Sequence, residues 1–252
     1  MKIAHLLITR FNLQFDKEDT LSVRSEWLEA RMRLFETYCM PSVAGQTCKD
    51  FTWLLLCAIN TPEQYKQRIS AYAAHLPQLS VQWVPFMEDY QPLLSRLGAS
   101  YAKGNDVLVT SRLDNDDALG SDYIERVQET VREGTEGFIS FPLGKQTFAK
   151  ENKSYIVRYV RNHFTSRIEK EGFDTVMAFN HAILPIESIR TIETPAPMWE
   201  EIVHGGNMLN DYMPSYNYQI RTMAEGVDLC RRWFHFQRLR LNRWVKSFFR
   251  KS

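Results

Sequence analysis

The residues with the most chemistry per position lie in "RLDNDDALGSDY", residues 112–123. Asp114, Asn115, Asp116 and Asp117 form the densest anionic cluster of the chain, and nothing cationic separates them. Asp and Asn hydrogen-bond their own backbone in turns, and acids suit a helix N-terminus, so a polar turn explains one or two of these residues. It explains four in a row poorly, because neighbouring unpaired carboxylates repel and need solvent or a cation. Hard divalent cations take oxygen ligands: Mg²⁺ uses one or two carboxylates with phosphate oxygens and water, and Mn²⁺ accepts the same donors. The D-x-D spacing lets two carboxylates face one ion while the residue between them points away. The cluster therefore reads as a metal site first and a turn second.

The elements around it decide where such a site would sit. Continuous apolar runs at 3–9 ("IAHLLIT"), 51–59 ("FTWLLLCAI"), 79–86 ("LSVQWVPF"), 106–114 ("DVLVTSRLD") and 136–144 ("EGFISFPLG") read as strands. A helical period starts at Ser25 and is expected to stop at Pro41. The next helix opens at "NTPEQY", with Thr61 as N-cap, Pro62 at the first helical position and Gln64 completing a capping box. A shorter helix is expected from Pro92 to Ala102 and another over 121–133. Strands separated by helices predict an α/β fold with a mostly parallel central sheet flanked by helices. Past about residue 145 the pattern loosens; "KQTFAK" and "SYIVRYV" suggest a hairpin, and "VHGGN" is a glycine turn. Ligands of open parallel sheets bind beyond the carboxyl ends of the strands. Both "TRFN" (9–12) and the aspartate cluster follow such ends, so the two loops are expected to face one crevice.

With 252 residues, 44% of them hydrophobic, the chain suits one large domain with an ample core. The net charge of +1 hides an asymmetry. Residues 230–252 hold eight Lys or Arg and no acid, leaving the rest with a formal charge of −7. The expected division is 1–229 as the domain and 230–252 as a basic amphipathic tail. As a helix the tail would gather Trp233, Phe234, Leu241, Trp244 and Phe248 on one side, which suits either packing on the body or an anionic bilayer surface. The acidic body argues against nucleic acid as a partner. The four cysteines form no C-x-x-C pair and read as free buried thiols of a reducing compartment. No signal-like or membrane-spanning segment is evident, so a cytoplasmic protein is expected, peripheral at the inner membrane if the tail binds lipid.

Five ordered segments, "TRFN", "ARMRLFETYCMPSVAGQTCKDFTWLL", "INTPEQY", "RLDNDDAL" and "WEEIVHGGN", together resemble the bacterial rhamnosyltransferase family, over residues 5–210 or so. A lone D-x-D is common by chance; the ordered set is far more specific. The resemblance implies the GT-A glycosyltransferase fold and a nucleoside diphosphate sugar as donor, with rhamnose the suggested sugar. It also implies Mn²⁺ or Mg²⁺ bound through D-x-D, neutralising the leaving diphosphate. Carried over, Asp116 is the first choice for direct ligation. Asp114 lies toward the ribose or holds the metal through water, and Asp117 ligates or caps the next helix. His204, with Gly205 and Gly206 beside it, would complete the metal shell. Thr9, Arg10 and Asn12 would receive the base and ribose, and Arg10 could reach the diphosphate. Arg24 and Arg31, seven apart, could point at it too or form ion pairs with Glu26 or Glu29. Arg112 would pair with an aspartate or a phosphate.

An inverting transferase needs a general base for the acceptor hydroxyl. Glu200 and Glu201 are the leading candidates, with Asp174 in reserve. The remaining five histidines have no partner at ligand spacing and are left structural. The reading is a metal-dependent glycosyltransferase acting on a glycan or lipid-linked acceptor. The alternative is a non-catalytic, membrane-peripheral interaction protein on the same scaffold. A nucleotidyltransferase is less fitting, because "ITRFNLQ" lacks the glycines of a phosphate loop.

Overall fold

The computed structural model describes residues 1–131, 136–206 and 212–249. The expected end of the helix at 132–133, Asn207 of "VHGGN" and the last three residues of the tail lie outside them, as do the side chains of Trp244 and Phe248. The chain builds two sheets with helices on both faces of the larger one. Strands β1 (Ile3–Arg10), β2 (Thr52–Ala58), β3 (Leu79–Val84) and β4 (Val107–Arg112) run parallel in the order β3-β2-β1-β4. The sheet continues through β9 (Ser166–Glu169), antiparallel to its neighbours, to β6 (Gly137–Ser140) and β10 (Ile189–Thr191). This is the mostly parallel, helix-flanked sheet expected from the sequence.

Near-continuous apolar runs make sense here because both faces of the sheet are covered. Leu7, Trp53, Leu55, Val107 and Val109 face α1 (Ser25–Leu34), α3 (Glu63–Ala73) and α5 (Tyr123–Thr130). Leu6, Ile8, Leu54, Leu56 and Leu108 face α4 (Met87–Ala102).

The second sheet holds β5 (Ala118–Leu119), β7 (Leu143–Phe148), β8 (Lys153–Arg158), β11 (Trp199–Val203) and β12 (Asn217–Tyr218), in the order β12-β8-β7-β11-β5. The expected hairpin is β7–β8, paired antiparallel. Residues 113–117 alone connect β4 of the large sheet to β5 of the small one. The aspartate cluster is the first of the chain's crossings between the two sheets.

Three local expectations are corrected. Pro41 does not stop the first helix: a π-turn over Phe35–Cys39 joins α1 to α2 (Met40–Ala44), and Pro41 opens α2. The wider turn, with Met40 N–H bonded to Phe35 O, lets the chain continue where proline has no N–H to give. The capping box at Thr61 is absent, since the N-cap is Pro62 and the Thr61 hydroxyl donates to Ala58 O instead. α4 starts at Met87, five residues before the expected Pro92, which it carries inside. The tail is helical but α6 (Met223–Phe249) begins upstream of residue 230. All four cysteines are free, though only Cys39 and Cys57 are buried; Cys48 is half-buried and Cys230 exposed. Among the described residues no helix is long and apolar enough to cross a membrane.

Candidate active site

The two segments expected to face one crevice lie side by side. The parallel register sets Ile8 beside Arg112, so the segments after β1 and β4 leave the sheet side by side. Buried Leu113 anchors the second by donating its N–H to Ile8 O at 3.1 Å. The Asn115 amide donates to Arg10 O at 3.0 Å and Phe11 O at 2.5 Å, so the carboxamide between two acids works as the latch between the loops. Asp117 N–H donates to Asp114 O at 3.3 Å, which closes the turn. The cluster is a turn as well as a concentration of charge.

Each acid has its own partners. Asp114 takes Arg112 at 3.2 Å and faces Arg10 at 3.9 Å. Burial alone would raise its pKa, but Arg112, His163 and Arg10 outweigh burial and hold the carboxyl well below the usual range. Asp116 Oδ2 lies 2.7 Å from Arg31 Nη1 and 2.9 Å from His204 Nε2. Asp117 is buried; its Oδ1 accepts from Ile202 N–H at 2.8 Å, and its Oδ2 lies 2.7 Å from His163 Nε2. Burial, then the charges of Asp116 and Asp114, push the Asp117 carboxyl well above its ordinary pKa. A cation would relieve that repulsion.

The donor set fits a hard divalent ion. Asp116 Oδ2 and His204 Nε2, hydrogen-bonded at 2.9 Å, are an oxygen and a nitrogen donor of the kinds Mn²⁺ accepts. Asp114, Asp117 and His163 also place ligand atoms within 4.8 Å of one another. Arg31 shares the Asp116 oxygen, so the guanidinium and an ion would compete for it or divide the two oxygens between them.

His163 is the residue sequence reasoning missed. β9 pairs antiparallel with β4, Ser166 opposite Ser111, which carries the segment just before β9 back to the cluster. The alternation in "HFTSRIE" was the available signal, but a strand of four residues is short enough to pass for loop. Lys150 was missed as well: its ammonium lies 2.6 Å from where a Cβ on Gly205 would stand. Gly205, at φ +82°, turns the chain directly after His204.

The other candidates divide. Arg10, Arg31 and Arg112 converge on the aspartates. Thr9 and Asn12 do not open toward a ligand. The buried Thr9 hydroxyl accepts from Trp53 Nε1 at 3.0 Å, and the Asn12 amide is spent on Ser22 O, Thr61 Oγ1 and Ala58 N–H. Arg24 precedes α1 rather than sharing a face with Arg31, and bonds Thr20. Arg31 pairs with neither Glu26 nor Glu29; Glu29 is held by Arg68. Asp174 sits between two strained residues, Phe173 and Thr175, with its carbonyl bonded by Gln91.

Strand alternation separates the two glutamates. Glu200 meets Lys145 at 2.8 Å and Thr147 at 2.6 Å, with its side chain a quarter exposed. Glu201 is sealed, bonded by Gln146 at 2.9 Å and by Tyr216. Burial first, moderated by His163 and reinforced by Asp117, pushes its pKa up to about 7.

The family model described as "Putative rhamnosyl transferase" matches residues 9–216. No curated protein sequence matches the chain significantly. Among solved structures, the chain is similar to S. aureus TarS 1-349. The form in complex with UDP is 11% identical, covering 81% of this chain and 61% of that one, with a TM-score of 0.42. The form in complex with UDP-GlcNAc is 10% identical, covering 84% and 62%, with a TM-score of 0.48. The chain thus spans about three-fifths of the length of those structures.

Proposed function

Since the chain belongs to the putative rhamnosyl transferase family, we propose that it is a metal-dependent glycosyltransferase. It moves a sugar from a nucleoside diphosphate donor onto a glycan or lipid-linked acceptor, and rhamnose is the sugar the family description favours. The observation that carries this reading is the meeting of Asp114 and Asp116 with Arg10, Arg31, Arg112 and His204 at the carboxyl ends of β1 and β4. Adjacent carboxylates and guanidiniums at a sheet's ligand-binding edge suit a diphosphate and its counter-ion together.

Asp116 and His204 would hold the ion directly, and Asp114 would serve the nucleotide or the ion through water. Bound there, Mn²⁺ or Mg²⁺ supplies Lewis-acid stabilisation of the departing nucleoside diphosphate. Arg10, Arg31 and Arg112 bind and orient the phosphates. Asp117 tethers the loop to β11 and His163 rather than ligating alone. Glu200 takes the proton of the acceptor hydroxyl, because an acceptor can reach it and cannot reach the sealed Glu201.

A second reading has one observation in its favour: each aspartate already faces an internal partner, Arg112, Arg31 or His163. A cluster neutralised from within suits a non-catalytic scaffold. Nucleotide release from a panel of sugar nucleotides separates the two. Wild type should release nucleotide from one donor with Mn²⁺ or Mg²⁺, and both EDTA and Asp116→Ala should abolish release. If calorimetry finds no metal-dependent donor binding and no donor is turned over, the scaffold reading replaces catalysis.

A further inference from the structure

We propose that the outward face of α6 docks flat on an anionic lipid surface. The helix runs 27 residues, about 40 Å at the usual rise per residue. One side of it is fixed to the body. Leu229 is buried there. Arg232 is buried too, pairs with Glu151 and Asp228, and lies 3.6 Å over the Phe148 ring. Tyr155 bonds Asp228, and Phe236 meets the Tyr212 ring.

At the helical period the opposite side carries Met223, Val227, Phe234 and Leu241, which are 88%, 48%, 67% and 59% exposed. Ile220 and Trp233 extend and border this stripe, and both are exposed. These six make up half of the exposed large apolar side chains among the described residues, so the stripe is a concentration and not ordinary scatter. Of the tail aromatics, Phe236 faces the body while Trp233 and Phe234 stay exposed.

Charge selects the occupant. Exposed Arg231, Arg238 and Arg240 flank the stripe, and no acid follows Asp228 in the sequence. Pairing two copies along this face would set arginines against arginines with no carboxylate to answer them. Nucleic acid would meet the arginines but leave the apolar side chains without a partner. An anionic bilayer accommodates both, headgroup phosphates taking the guanidiniums and acyl chains the Phe, Leu and Met. The inference stands independently of the transferase reading.

Co-sedimentation of the full chain with vesicles tests it. Wild type should pellet with vesicles of equal parts phosphatidylcholine and phosphatidylglycerol, and far less with phosphatidylcholine alone. Phe234→Glu/Leu241→Glu should lower the partition coefficient roughly tenfold or more. Both side chains are exposed, so circular dichroism and donor-hydrolysis rate should stay as in wild type. Arg238→Glu/Arg240→Glu should weaken binding and flatten its salt dependence. Failure of wild type to bind the anionic vesicles overturns the proposal, and so does binding that the Phe234/Leu241 variant retains. A wild-type dimer that this variant dissociates, with neither protein on vesicles, assigns the face to a second copy instead.

Discussion

Alternation along β11 sends Glu200 to Lys145 and Thr147 and Glu201 to Gln146, so two adjacent acids have separate consequences. Glu200→Gln should lower kcat for transfer by about 10²–10⁴-fold, the usual worth of a positioned general base, with donor KM little changed. Glu201→Gln should leave kcat within a few fold and move the melting temperature instead. Steady-state kinetics and thermal melts on the two variants check this together. His163 acts through Asp117, whose second oxygen is held by Ile202 N–H. His163→Ala should loosen the loop that Asp117 tethers and weaken Mn²⁺ binding by about 10–100-fold, as loss of an outer partner of a metal site does, measured by calorimetry without substrate. The aspartates were legible in the sequence because four polar residues in a row are hard to explain otherwise. His163 was not, because its partner lies 46 residues away. Thr9 ends up inside β1 and Asn12 just beyond it, and the side chains of both are consumed in internal hydrogen bonds.

Among the elements, long apolar strands and periodic helices were readable, because burial on both faces of a parallel sheet imposes them. Misses came where a local rule lost to context. At Pro41 a π-turn absorbed the proline, and at Thr61 the hydroxyl served its own turn and Asn12 rather than the helix. The small sheet, whose strands come from distant stretches of chain, showed only its hairpin. One glycine controls its packing: a Cβ on Gly144 of β7 would lie 2.1 Å from Trp199 at the start of β11. Trp199 is buried and stacks on Phe164, so it has no room to retreat. Gly144→Ala should cost about 1–3 kcal/mol, and each kcal/mol lowers Tm by roughly 2–4 °C in a chain of this size. Because β11 carries Glu200 and leads into His204, transfer activity should fall along with the melting temperature.

Across the whole molecule, buried His5 and half-buried His181 set the response to acid. Burial pushes His5 down to about 3 and His181 down to about 4 from an ordinary 6.5. The unfolded chain binds these protons first, so the stability they protect is complete above about pH 6.5 and drains as pH falls toward 4 and 3. Glu201 works in the opposite sense. Its raised pKa makes the fold gain from protonation between about pH 7 and 4.5, after which it contributes nothing more. Melting temperature should therefore decline gently from pH 6.5 to 4.5 and steeply below, and His5→Gln should flatten the acid limb.

The aspartate cluster draws its partners from both ends of the chain, and this sets an order during synthesis. When Asp116 leaves the ribosome, Arg10, Arg31 and Arg112 have already been made, whereas His163 comes 46 residues after Asp117 and His204 comes 88 residues after Asp116. At ribosomal rates of about 5–20 residues per second, the wait for His204 is roughly 4–18 s. A nascent chain thus has its guanidiniums to restrain the aspartates long before it has its imidazoles. The Asp116–His204 contact is the last of the cluster to become possible.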